Sequence, residues 1–135
     1  MENLYFDEKA ETMSRDELAA LQNERLRKTV RHVMADNAWF RARFEAAGID
    51  PEGFRGLEDL TKLPFMSKKD FREQYPLGMC CVPKEKLAEM HMSSGSTGTP
   101  VVMPYTKADR KSGEERAECP GGKRPRLHDL HVLHG

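Results

Sequence analysis

The sequence predicts a mostly helical chain interrupted by one strand–loop–strand unit, and three observations lead there. Amphipathic stretches, several opened by helix-capping residues, fill most of the first 89 positions. The residues that favour sheets are scarce: one Ile (Ile49) and six Val in 135 residues, too few for a large β core. Finally, a run of hydroxyls and glycines, residues 93–100, lies between two short apolar stretches.

Ser14-Arg15-Asp16-Glu17 has the form of a capping box, with a hydroxyl to cap and a carboxylate three residues on to reach back. It predicts a helix whose apolar side carries Leu18, Leu21, Leu26, Val30, Val33 and Met34. Asp36-Asn37 breaks that pattern or caps the next helix. The next helix holds Trp39, Phe40 and Phe44 and ends at Gly48, with Ile49 placed to pack back on it. The aromatic cluster reads as core in preference to a ligand platform.

A short helix is expected near residues 57–62, stopped by Leu63-Pro64. Ser67-Lys68-Lys69-Asp70 opens another, closed by Pro76, and residues 84–89 read as a further helical turn or two. Pieces this short draw their stability from packing on something larger. Met90-His91-Met92 then reads as a strand entering the Ser/Gly run, Val101-Val102-Met103 as the strand leaving it, and Thr106-Lys107-Ala108-Asp109 as the start of a helix.

Composition excludes several functions. The 22 Lys and Arg balance the 22 Asp and Glu, which argues against a nucleic-acid partner. A mean hydropathy of −0.74 and the absence of long apolar runs argue against a membrane span. The three cysteines, Cys80, Cys81 and Cys119, form no CxxC and no even framework, which points to free thiols and a cytoplasmic location. Glu2 to Phe6 resembles the start of a protease-site scar, but Asp7 stands where such a site needs Gln, so the segment reads as native. His128, His131 and His134 would spread around a helix and not converge, so no metal site is expected there.

Ser93-Ser94-Gly95-Ser96-Thr97-Gly98-Thr99-Pro100 is the segment with chemistry in it. Glycines let successive N–H groups turn toward one point, and hydroxyls add donors, a concavity suited to polyphosphate oxygens. It is not a Walker loop, because Thr99, not Lys, follows Gly98. A flexible turn in a hairpin is the plain alternative.

The order of residues favours the loop. The run, followed by an apolar strand and Tyr105-Thr106, resembles the phosphate-binding loop of adenylate-forming enzymes. The flanks resemble the phenylacetate–coenzyme A ligase family. The matching elements are Glu11-Thr12-Met13-Ser14-Arg15-Asp16-Glu17-Leu18, Leu21-Gln22-Asn23-Glu24-Arg25-Leu26, Leu63-Pro64-Phe65, Lys68-Lys69-Asp70 and Tyr75-Pro76-Leu77-Gly78, in that order. The resemblance implies an α/β fold, of which this chain is a fragment of the large N-terminal domain. It also implies ATP, Mg²⁺ and coenzyme A as cofactors and phenylacetate or a related aryl acid as substrate. Ser93, Ser94, Gly95, Ser96, Thr97 and Gly98 become the ATP phosphate-binding residues. Ser94, Ser96 and Thr97 are the side-chain donors, and Gly95 and Gly98 the positions where backbone approaches phosphate. No catalytic residue is carried over. Many relatives have Gly-Lys-Pro where this chain has Gly98-Thr99-Pro100, so a loop cation is missing.

Resemblance is expected to stop at Asp109. Residues 110–135 hold six Gly or Pro and carry +2, against −2 for residues 1–109. They read as a disordered tail, with a reading-frame shift after Asp109 as its cause. The expected organisation is a helical region over 1–89, the strand–loop–strand over 90–109 and an aberrant tail over 110–135. The expected function is a phenylacetyl-CoA-forming ligase, present as a truncated, inactive N-terminal fragment. Two alternatives are the adenylation of another carboxylate and a non-enzymatic helical interaction module that uses the Leu18–Met34 face.

Overall fold

The computed structural model describes Tyr5, residues 7–93 and residues 98–117. After a single helical turn, α1 (Glu8–Glu11), the main helix α2 (Arg15–Asp36) begins at the expected capping box. Ser14 Oγ accepts from the Glu17 N–H at 3.3 Å, and the Glu17 carboxylate accepts from the Ser14 N–H at 3.0 Å.

Asn37 makes the corner into α3 (Ala38–Ala46). Its Oδ1 accepts from the N–H groups of Trp39 and Phe40, satisfying two donors that the new helix would otherwise leave bare. Val30 and Met34 of α2 then face Phe40 and Phe44 of α3, and Ile49 and Phe54 close the cluster. The core therefore sits at the C-terminal half of α2, while Leu18 near its start is 40% exposed. Ile49 returns as expected, its N–H donating to the Phe44 carbonyl at 2.9 Å.

Smaller pieces are tied to this hairpin by polar contacts. Asn23 Oδ1 on α2 accepts from the Leu57 N–H at 2.7 Å, anchoring a 3₁₀ segment, Leu57–Lys62. That contact leaves no room for a side chain at Gly56, where an added Cβ would overlap the Asn23 amide oxygen. Helix α4 (Lys68–Glu73) begins at a second capping box, Ser67 with Asp70. Arg43 of α3 holds it by reaching Asp70 Oδ1 at 3.2 Å and the Phe65 carbonyl at 2.6 Å. Asn37 Nδ2 donates to the carbonyls of Gly78 and Cys80, which brings the 77–81 segment against the core.

Strands β1 (Leu87–Met92) and β2 (Val102–Thr106) pair antiparallel, with His91 opposite Met103 and Met92 opposite Val102. Helix α5 (Lys107–Ala117) leaves β2 at the third capping box, Thr106 with Asp109, and packs back on both strands.

Two expectations are corrected. Residues 84–89 are not a helix: one 3₁₀ turn, Lys84–Lys86, hands over to β1 at Leu87, because pairing with β2 satisfies the backbone there. The expected 89/90 boundary thus falls inside a strand. The helix begun at Lys107 also does not end near Asp109 but runs to Ala117 through Gly113, so its last residues lie inside the segment expected to be disordered. Among the described residues, no helix is long and apolar enough to cross a membrane.

Candidate phosphate-binding loop

The strands deliver the two ends of the Ser/Gly run to one another. Ser93 follows β1 directly, and Val101 precedes β2. The Ser93 N–H donates to the Val101 carbonyl at 3.0 Å, and the Val101 N–H donates to Ser93 Oγ at 2.9 Å. The hydroxyl stands in for the second backbone bond of a ladder, so the chain can leave the sheet here without an orphaned donor. Gly98 has φ +124°, a conformation that residues with a Cβ rarely adopt, and no atom of the described residues comes within 4 Å of the position a Cβ would take. Glycine serves here to bend the backbone.

Of the six predicted phosphate-binding residues, Ser93 and Gly98 thus frame the loop. Ser94, Gly95, Ser96 and Thr97 lie outside the described residues, as do Cys119 and the three histidines at 128, 131 and 134.

A polar set beside the loop base escaped the sequence reading. His91 Nε2 lies 3.0 Å from Glu89 Oε1, and the His91 ring meets Tyr105 edge to face at 5.1 Å. The signal for it was there: Glu89 and His91 alternate along one strand and so share a face. On the side of β2 lies an apolar cleft of about 260 Å³, lined by Phe71, Leu77, Met79, Cys80, Met103 and Tyr105 among others. Cys80 donates to the Val82 carbonyl, and burial pushes the Cys81 thiol up, away from reactive thiolate. No group of three or more His, Cys, Asp or Glu gathers to hold a metal ion among the described residues.

The fold has solved counterparts. A 2-hydroxyisobutyryl-CoA ligase in the postadenylation state with 2-HIB-AMP superposes with a TM-score of 0.75 at 26% identity, covering 85% of this chain and 25% of that one. The same ligase with 2-HIB-AMP and CoA, in the thioesterification state, gives 0.71 at 28% identity over 78% of this chain and 23% of that one. A strand–loop–strand built on this helical frame therefore defines part of an adenylate-forming CoA ligase.

Sequence comparison narrows the class. The chain is 43% identical over 135 residues to a phenylacetate–coenzyme A ligase of Thermus thermophilus, which covers 98% of this chain and 30% of the relative. It is 48% identical over 102 residues to that of Aromatoleum evansii (76% and 23%) and 46% identical over 99 residues to that of Escherichia coli (73% and 23%). No family model matches the chain. Over the span it covers, the chain is similar to the phenylacetate–coenzyme A ligases. It spans less than a third of the length of the curated relatives it matches. The Thermus match covers too much of the chain to stop at Asp109, so with that relative the similarity enters residues 110–135.

Proposed function

We propose that this chain supplies the ATP phosphate-binding loop of an AMP-forming ligase that makes phenylacetyl-CoA. The observation that carries the reading is the loop itself: a hydroxyl-rich run closed at its base by Ser93 and Val101, in a chain 43–48% identical to three named phenylacetate–CoA ligases. A carboxylate is a poor electrophile. Attack of its oxygen on the α-phosphorus of ATP releases pyrophosphate and gives an acyl-adenylate. The thiol of coenzyme A then attacks the acyl carbon and releases AMP. In this scheme the loop N–H groups and the hydroxyls of Ser94, Ser96 and Thr97 hold the departing pyrophosphate oxygens, and Gly95 lets the backbone approach them.

The described residues fit only part of that task. The Ser93–Val101 closure and the Gly98 bend suit a loop that turns its N–H groups inward. No carboxylate cluster is offered to Mg²⁺ among the described residues, so the ion would be held by the nucleotide and by residues beyond this span. Acyl-AMP and CoA occur in the solved ligases of the same fold, which supports ATP and coenzyme A as the nucleotide and thiol partners here. We place the enzyme in the cytoplasm, in phenylacetate breakdown, and read the 135-residue chain alone as inactive.

The test is a chimera in which this chain replaces the matching segment of the Thermus enzyme, assayed by acid-dependent ATP–pyrophosphate exchange. Exchange with phenylacetate and none by the isolated chain is the expected pair of results. Exchange only with another carboxylate would redirect the substrate, and exchange by the isolated chain would overturn its inactivity. For residues 110–135 the frame-shift reading is withdrawn, because the match to the Thermus ligase runs past Asp109 in this frame.

A further inference from the structure

The strand pair that carries the loop is short of backbone bonds. Pro104 stands opposite Met90 and has no N–H to donate, and the pairing slips between Leu87 and Glu89. Among the described residues the sheet has only these two strands. A two-stranded ribbon is marginal in water by itself, so its register leans on side chains that meet across it. The closure of the loop depends on that register. Ser93 and Val101 meet twice because Met92 stays opposite Val102.

One set of polar side chains does meet across the ribbon. His91 Nε2 lies 3.0 Å from Glu89 Oε1 on β1, and its ring meets the Tyr105 ring of β2 edge to face at 5.1 Å and 67°. The His91 and Glu89 side chains are 31% and 36% exposed, so water screens their bond less than it would a fully exposed pair. They are also the only His, Lys, Arg, Asp or Glu residues from Leu87 to Thr106, so within the strand–loop–strand unit each is the other's sole ionic partner. The direction of the contacts decides what the set can do. His91 faces Met103, whereas Glu89 faces Tyr105, further along both strands from the loop. Both partners of the imidazole thus lie on the side away from Ser93. The ring is drawn back from the loop mouth and braces the strands instead of reaching the nucleotide.

We propose that His91 is a positioning residue for the nucleotide. Bonded to Glu89 and set against Tyr105, it fixes the register of β1 on β2, and through it the Ser93–Val101 clasp on which the phosphate loop stands. The inference rests on the ligase reading of the chain and adds the residue that holds the loop in place.

The test reads the clasp first in the full 135-residue chain. His91→Ala removes the ring contact and leaves Glu89 without its partner. The Ser93 and Val101 amides should then exchange faster by about fivefold, while core amides such as those of Val30 and Phe44 keep their rates. His91→Gln keeps an N–H donor for Glu89 and should return most of the protection. In the chimera with the Thermus enzyme, His91→Ala should raise the KM for ATP by about tenfold and leave that for phenylacetate unchanged, with His91→Gln again recovering most of the loss. Unchanged rates at Ser93 and Val101, a KM for ATP that ignores His91→Ala, an equal rise in both KM values, or a Gln variant no better than Ala would each overturn the inference. The unaltered chimera separates this from the ligase reading. If it shows no exchange with phenylacetate, the ligase reading falls, and the amide rates alone decide the brace. If it is active and His91→Ala changes neither the amide rates nor the KM for ATP, the brace falls and the ligase reading stands.

Discussion

Ser93 and Val101 are joined twice, once backbone to backbone at 3.0 Å and once by the Val101 N–H to the Ser93 hydroxyl at 2.9 Å. The serine at the mouth of the loop therefore acts first as a clasp. In Ser93→Ala the Val101 N–H loses its acceptor, at a cost of about 1 kcal/mol to the local structure. The Val101 amide should exchange faster by about fivefold, read by hydrogen exchange, while Ser93→Thr keeps the clasp and the slow rate.

Asn37 is the second joint. It is 6% exposed, caps α3 with its oxygen and binds the Gly78 and Cys80 carbonyls with its nitrogen. Asn37→Ala orphans groups on both sides and should cost about 2–4 kcal/mol in urea unfolding. Asn37→Asp keeps the cap but sets a carboxylate against two carbonyl oxygens. It should also be destabilised, which shows that the joint, and not the cap alone, matters.

Which parts of this frame were legible follows from how far apart the partners lie. The helix starts at Ser14, Ser67 and Thr106 are local patterns spanning four residues; all three helices begin where they were read, and each does so with a capping box. The cap by Asn37 was readable as one of two options, but its reach to residues 78 and 80 crosses 41 and 43 positions and leaves no trace in sequence spacing. Residues 84–89 misread for the same reason. Leu87-Ala88-Glu89 favours helix locally, and only the distant β2 makes it a strand. Past Asp109, Gly113 and the loss of apolar residues hid a helix that its capping box had already started.

Acid should unfold the chain through its capped carboxylates. Asp59 accepts from Lys62 Nζ at 2.8 Å and from the Arg55 N–H at 2.9 Å, and these bonds hold its carboxyl well below the ordinary value. Glu17, held by the Ser14 hydroxyl and N–H, and Asp70 and Asp109, held by the N–H and hydroxyl of Ser67 and Thr106, shift the same way. A folded value below the unfolded one means that the unfolded chain binds protons first. The contribution is complete above about pH 5 and is lost as pH falls through about 4 toward the folded values. Urea midpoints from pH 7 to pH 2.5 should drop over that range, and Asp59→Asn should flatten the drop.

Gly98 should resist substitution for its backbone alone. At φ +124°, Gly98→Ala meets no neighbour among the described residues but disfavours the bend by about 1–3 kcal/mol. In the chimera this should raise the KM for ATP and leave that for phenylacetate unchanged. A matched rise in both would point to misfolding instead.

The most direct measurement of the account is the triple change Ser94→Ala, Ser96→Ala and Thr97→Ala in the chimera, followed by phenylacetate-dependent ATP–pyrophosphate exchange. If these hydroxyls hold the departing pyrophosphate, exchange falls by about 100-fold or more, with the KM for phenylacetate unchanged. Exchange at the rate of the unaltered chimera would contradict the assignment of this loop to phosphate.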